Sequence, residues 1–288
     1  MKFASYSVNG RPTWGVATDR GLIALACDGA RTLREAIVAG RLQELGKGAE
    51  GKTAEVGRAD VTFLPVIPDP AKIFCVGLNY ETHRQETGRA VVGHPTIFTR
   101  FADTQSGHDG EIVLPRVSTM LDFEGELAVI IGKGSRAIAH ADAWDHVAGY
   151  ACYNDASIRD WQNHTHQYTP GKNFPTTGPF GPWLVTPDEV GEIGPQTIET
   201  RLNGETVQSA TLGDMIFPIP TIIAYISAFT PLSPGDVIAT GTPGGVGFKR
   251  EPQLFMKAGD VVEVEIEKVG LLRSRIVAEQ MFAANTGR

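Results

Sequence analysis

Three acids carry the first chemical signal in this chain. Glu124 and Glu126 flank one glycine in LDFEGELAVIIG, residues 121–132, just before an apolar run from Leu127 to Ile131. Residues two apart in a strand point to one face, so the two carboxylates face the same way. A buried ionised carboxylate is costly unless it is paired or holds a cation. Asp155 closes a second apolar run, GYACYND. If the two strands end together, three carboxylates converge in an all-oxygen set. That set suits Mg2+ or Mn2+, hard cations that take about six oxygens. Three protein ligands leave about three positions for water and substrate, as a catalytic metal requires. Zinc matches less well. His164 and His166 lie in a segment rich in Asn, Gln and Thr and read as surface loop. From the local residues alone, an exposed strand end with solvated acids is the alternative.

The elements that must hold these acids are mostly strands. KIFCVGLNY, EIVLPRV, GELAVIIG, HVAGYACYND, TIETRLNGE, DVIATGTP and VVEVEIEKVGLLRSRIV read as strands. Helices are expected around residues 142–145 and 158–164 and over PTIIAYISAFT. PGDVI and AGDVV repeat a turn-to-strand unit, which points to a folded-over β-roll and not to alternating βαβ units. Ahead of them, residues 1–63 read as a small unit. KFASYSV, PTWGVAT and GLIALAC form a meander, and TLREAIVAGRLQEL follows as one helix. Residues 64–72, with three prolines, read as a linker. The expected class is α+β and β-dominated, with a small domain at 1–68 and a larger one at 69–288.

Composition narrows the function. The net charge is −7 and the basic residues are scattered, which argues against nucleic acid as a partner. No apolar run approaches the roughly 18–20 residues of a membrane span, and the start lacks a secretory core. Cys27, Cys75 and Cys152 are odd in number and form no Cys-x-x-Cys pair, as in a reducing compartment. A cytoplasmic protein is expected. GKGAEGKT, residues 46–53, matches two phosphate-binding patterns, but each needs a strand before it and a helix after it. Here a helix is expected before it and no helical stripe follows, so it reads as a solvated loop.

Five ordered segments carry a resemblance. IFCVGLNYETH, DFEGELAVIIGKG, YNDASIRDWQ, GKNFPTTGPFGPWLV and TGTPGGVG together resemble the fumarylacetoacetate hydrolase family over about residues 70–280. The resemblance implies a mixed β-roll catalytic domain behind a small N-terminal α/β domain, a Mg2+ or Mn2+ centre, usually a homodimer, and a small 2-oxo acid as substrate. By motif it implies Glu124, Glu126 and Asp155 as metal ligands. It also puts Gln162 and Lys172 in the substrate pocket and Thr242 at a substrate carboxylate. The Lys172 ammonium would stabilise an enolate or oxyanion. Arg100 stands where the family often has lysine, and offers a carboxylate a bidentate fork in place of a point charge. Arg159 either binds substrate or pairs with Asp160 or Asp155, and the structural role is the favoured reading.

ETHRQE bears on the reaction. His83 and Glu86 are three apart, so one helical turn puts them on a common face. The segment resembles a mobile lid carrying such a pair in acylpyruvate-type members of the family. Glu86 would raise the basicity of the imidazole, which would activate water for carbon–carbon cleavage in a small 2,4-dioxo acid of acylpyruvate or fumarylpyruvate type. Hydrolysis is the first expectation. A lyase or isomerase on the same scaffold stays open: decarboxylation of oxaloacetate, tautomerisation or dehydration of a 2-oxo acid, or isomerisation of a 2-hydroxy-diene-dioate. A non-catalytic metal-holding module is the remaining alternative.

Overall fold

The computed structural model describes residues 1–26 and 29–280; Cys27, the end of GLIALAC and the last residues of the expected catalytic domain lie outside them. The scaffold is a large mixed sheet faced by a smaller one. Across the large sheet the strands run Gly21–Ala24, Arg11–Thr18, Lys2–Val8, Gly178–Val185, Val147–Asn154, Gly125–Ile131, Val237–Ala239, Ile73–Gly77 and Thr96–Arg100. All neighbours along this path are antiparallel except Val237–Ala239 and Ile73–Gly77. The second sheet orders Glu205–Thr211, Thr197–Leu202, Val261–Ile266, Gly270–Ala278 and Glu111–Leu114.

Strand Gly125–Ile131 is buried on both faces, which is why its sequence reads as a continuous apolar run. Leu127, Val129 and Ile131 meet Ile198, Val264 and Leu272 of the smaller sheet and helix Ile219–Phe229. Ala128 and Ile130 face the other way, onto Leu33, Ile37, Leu42 and Leu45. Ile219, Ile222, Ile223 and Ile226 form the buried stripe of the long helix, at the three- and four-residue spacing visible in PTIIAYISAFT.

Between the two acids, Gly125 is forced by packing. A Cβ built there would run into Thr200 Oγ1 and press on both methyls of Val264 at 3.2 and 3.3 Å. Gly125→Ala should therefore cost about 1–3 kcal/mol and displace both flanking carboxylates. Thermal melts and divalent-metal titration of the variant check this; unchanged melting and unchanged metal affinity would refute it.

Several expectations change. TLREAIVAGRLQEL is two helices, Leu33–Val38 and Leu42–Gly48, broken where Gly40 takes φ +66. Residues 158–164 yield only the short helix Arg159–Gln162, and residues around 142–145 form a 3-10 turn, His140–His146. The stretch 64–72 is no loose linker, because Val66 and Ile67 are fully buried. Val66 N–H donates to Phe180 O, and Val66 O accepts from Ser5 Oγ at 2.8 Å. Strand Lys2–Val8 pairs with Gly178–Val185 through Lys2–Val185 and Phe3–Leu184. We propose 1–68 and 69–288 as two units of chain that complete one sheet between them. Segment 46–53 begins inside helix Leu42–Gly48, with Gly46 and Ala49 buried, so only its second half is the expected loop; no strand leads into it and no α-helix directly follows it.

Candidate metal centre and proton-transfer site

Register brings the three acids together. Gly125 lies opposite Asn154, so Glu124 and Asp155 face each other just past the end of the ladder, where Asp155 N–H donates to Glu124 O at 2.9 Å. Glu124, Glu126 and Asp155 are all buried, and each offers a carboxylate oxygen within 4.8 Å of the others. Like charges placed this way repel and destabilise the strand pair unless other groups compensate.

Three buried cations compensate in part. Lys172 Nζ lies 2.7 Å from Glu124 Oε2 and 2.6 Å from Asp155 Oδ2. Arg159 reaches Glu124 Oε1 through Nη1 at 2.7 Å and Asp122 Oδ2 through Nε at 2.8 Å. Arg100 Nη1 donates to Asp155 Oδ1 at 2.5 Å. With Asp122 included, four buried carboxylates face these three cations. The imbalance settles on Glu126. Burial, then the charges of Asp155 and Glu124, push its carboxyl well above the usual range. Burial also opposes ionisation of Glu124, yet Lys172, Arg159 and His83 outweigh it and hold that carboxyl at about 2. The set fits a divalent cation on two grounds: all its donors are hard oxygens, and once Glu126 gives up its proton the carboxylates outnumber the cations.

Backbone turns complete the wall. Gly241 N–H donates to Glu126 Oε2 at 2.8 Å. At φ +102, where an added Cβ would fall 2.5 Å from Asn79 Cβ, only glycine lets that amide approach. Asn79 locks the turn: its Nδ2 donates to Thr240 O at 2.7 Å and its Oδ1 accepts from Phe217 N–H at 2.7 Å. Leu78, at φ +56, is a strained non-glycine residue lining the same cavity.

Helix Glu81–Thr87 brings His83 Nδ1 to 2.6 Å from Glu86 Oε1. Glu86 Oε2 accepts from Gly245 N–H at 2.8 Å, and Thr82 Oγ1 accepts from Gly244 N–H at 3.1 Å, so the helix is seated on the 244–245 turn. With Nδ1 engaged, Nε2 is the ring nitrogen left for the cavity, and a carboxylate partner favours protonation at Nδ1.

One cavity of about 310 Å³ is lined by Glu124, Glu126, Asp155, Lys172, His83, Gln162 and Thr242. Gln162 Oε1 accepts from Arg159 Nη1 at 2.8 Å. The Thr242 hydroxyl is already engaged, donating to Gly125 O at 3.0 Å and accepting from Gln208 Nε2 at 2.8 Å. Glu86 stands behind His83, outside the lining. Arg100 is also absent from the lining: it sits behind Asp155, with Nη2 donating to Thr177 Oγ1 at 2.6 Å. Its expected contact with substrate gives way to a positioning role, which we propose instead. His164 and His166 are exposed and outside the cavity.

Sequence reasoning missed other parts. Arg159 pairs with Asp122 and Glu124, where Asp160 or Asp155 was expected. It also lines the cavity, with a buried Nη2 that has no hydrogen-bond partner among the described residues. Asp122 precedes Glu124 by two residues, and that alternation was the available signal. Phe98, Tyr168 and Phe248 add aromatic walls.

The chain matches the family model for the fumarylacetoacetate (FAA) hydrolase C-terminal region over residues 72–277. It is 45% identical over 222 residues to the Homo sapiens protein named oxaloacetate tautomerase FAHD2A, mitochondrial, covering 76% of this chain and 71% of that one. Fumarylacetoacetate hydrolase from Exiguobacterium antarcticum superposes with a TM-score of 0.86 at 33% identity, over 97% of this chain and all of the other. Maleylpyruvate hydrolase from Sphingobium sp. SYK-6, solved with manganese(II) and pyruvate, superposes at 0.82 with 27% identity over the same shares.

Proposed function

The chain belongs to the fumarylacetoacetate hydrolase family, and from that premise we propose that it tautomerises a small 2-oxo diacid of the oxaloacetate class. The observation that carries the reading is the shared cavity: His83, the Lys172 ammonium and the three carboxylates face one space of about 310 Å³, with room for a small acid. Support also comes from the 45% identity to a protein named oxaloacetate tautomerase.

Glu124, Glu126 and Asp155 would hold Mg2+ or Mn2+. When bound, the cation supplies Lewis-acid polarisation at the inner end of the cavity. The chain's own groups then divide the work. His83 Nε2 takes a proton from carbon 3 of the keto acid, with Glu86 stabilising the imidazolium. The electron pair moves onto the 2-oxo oxygen, where Lys172 offsets the developing charge. Return of that proton from the His83 imidazolium to the oxygen, directly or through water, completes the enol and restores the base, with no water consumed and no carbon–carbon bond broken. Gln162 orients the acid together with the backbone of Thr242, whose hydroxyl is held by Gly125 and Gln208.

Hydrolysis of a 2,4-dioxo acid is the second reading, favoured by the His83–Glu86 pair, which could equally activate a water. The test is direct. Mg2+- or Mn2+-loaded protein should speed decay of the oxaloacetate enol absorbance, release no pyruvate from acylpyruvates, and lose its activity to a chelator. Pyruvate release from acylpyruvates without an effect on the enol would install the second reading in its place.

Assembly as a homodimer is likewise proposed, and light scattering measures it. Among the described residues no helix is long and apolar enough to cross a membrane. A cytoplasmic location is a proposal for cell fractionation to test.

A further inference from the structure

Two cations on the cavity wall have no task in the chemistry above. Arg89 and Lys249 line the same cavity as the acid cluster, with exposed side chains on two different segments of the chain. The other two lysine or arginine side chains of the lining, Lys172 and Arg159, are engaged by acids as described. Among the described residues, neither Arg89 nor Lys249 forms an ion pair with a carboxylate.

Both are presented from braced backbone. Arg89 N–H donates to Arg84 O at 3.2 Å, and Arg84 Nη1 returns a bond to Arg89 O at 2.6 Å. Lys249 ends the 3-10 turn Gly247–Lys249. Gly247 and Phe248 N–H groups both donate to Asp122, at 2.8 and 3.0 Å, and Asp122 is also the acid that holds Arg159. The Phe248 ring contacts two cations, with the Arg159 guanidinium 4.3 Å and Lys249 Nζ 5.1 Å from its centroid. Pre-placed charges of this kind select a ligand by complementary charge more than by contact area.

We infer that Arg89 and Lys249 form a subsite for the second carboxylate of the substrate, so that the site selects dianionic 2-oxo acids over those with a neutral far end. The inference rests on the proposed function for the inner end of the cavity, which takes the 2-oxo carboxylate. The outer pair then receives the carboxylate at the far end of a short chain, through charge-assisted hydrogen bonds. Because Arg89 closely follows the helix that carries His83, engagement at this end also ties carbon 3 to the base.

Two measurements on wild type, Arg89→Gln, Lys249→Gln and the double variant test it. The first compares kcat/KM for oxaloacetate with that for 2-oxobutanoate, followed by deuterium uptake at carbon 3. The second compares calorimetric affinities of Mn2+-loaded protein for 3,3-difluorooxaloacetate and 3,3-difluoro-2-oxobutanoate, neither of which can enolise. Wild type should favour the dianion by about tenfold or more. Each single variant should lose part of that preference, and the double variant nearly all of it, chiefly through KM and Kd. An unchanged preference in the double variant overturns the subsite. A wild type that binds the difluoro diacid selectively yet tautomerises nothing would keep the subsite and sink the proposed reaction. Tautomerisation without any charge preference would do the reverse.

Discussion

Glu126→Gln is expected to give a protein at least as stable as wild type without metal, and nearly inert. The side chains are isosteric, so packing is unaffected. In the metal-free fold the Glu126 carboxyl is pushed well above its ordinary 4.5, first by burial and then by Asp155 and Glu124. The folded chain therefore binds this proton more tightly than the unfolded chain. Stability from that source is complete below about pH 4.5 and declines as pH rises towards the folded-state value. Glutamine carries no such liability, so the variant should match wild type near pH 4 and exceed it at pH 7. Function should move the other way. One of three anionic donors is lost, so divalent-metal affinity should fall on the order of 10²-fold and activity about 10³-fold, roughly 4 kcal/mol of barrier. The same linkage predicts that wild-type metal affinity rises with pH as the cation displaces the proton, and that the rise is blunted in Glu126→Gln. Denaturant curves at pH 4 and 7, with and without Mn2+, separate these effects. A variant that is less stable at pH 7, or that binds Mn2+ normally, would undo the account of the centre.

What the sequence made legible was local. The Glu124–Glu126 spacing survives because strand periodicity is a property of neighbouring residues, and the Ile219–Phe229 stripe is visible for the same reason. Asp155 could be joined to the pair because both apolar runs end in acids. The site's electrostatics, however, depend on distant contacts. Arg100 and Asp155 are 55 positions apart and Lys172 and Glu124 are 48, and no local pattern encodes those pairings. Reading Arg159 with its neighbour Asp160 failed for this reason. The segment Arg159–Gln162 turns the guanidinium back towards Asp122, 37 positions earlier. The same limit explains the stretch 64–72. Three prolines forbid regular structure there, but they say nothing about burial, and Val66 and Ile67 fill the gap between two strands of one sheet.

Lys172→Met should be the most damaging single change in the cavity. The ammonium is buried and bridges Glu124 and Asp155. Burial works against its charge, but Asp155 and Glu124 prevail and its pKa lies above the ordinary value. Its stabilisation is therefore present throughout the neutral range and is lost only as pH climbs through that raised value. Methionine fills the volume and leaves two buried carboxylates facing each other, at a cost of about 3–5 kcal/mol. The deficit relative to wild type should shrink between about pH 4.5 and about 2, where Glu124 takes up its proton in the wild-type fold. Divalent metal supplies positive charge to the same carboxylates, so Mn2+ should return much of the lost stability. It should not return the reaction. If Lys172 offsets charge on the 2-oxo oxygen, the metal-loaded variant stays about 10²–10³-fold slow in kcat, with little change in the affinity for 3,3-difluorooxaloacetate. A metal-loaded Lys172→Met that is both stable and active would show that this lysine serves only to keep the acid cluster folded.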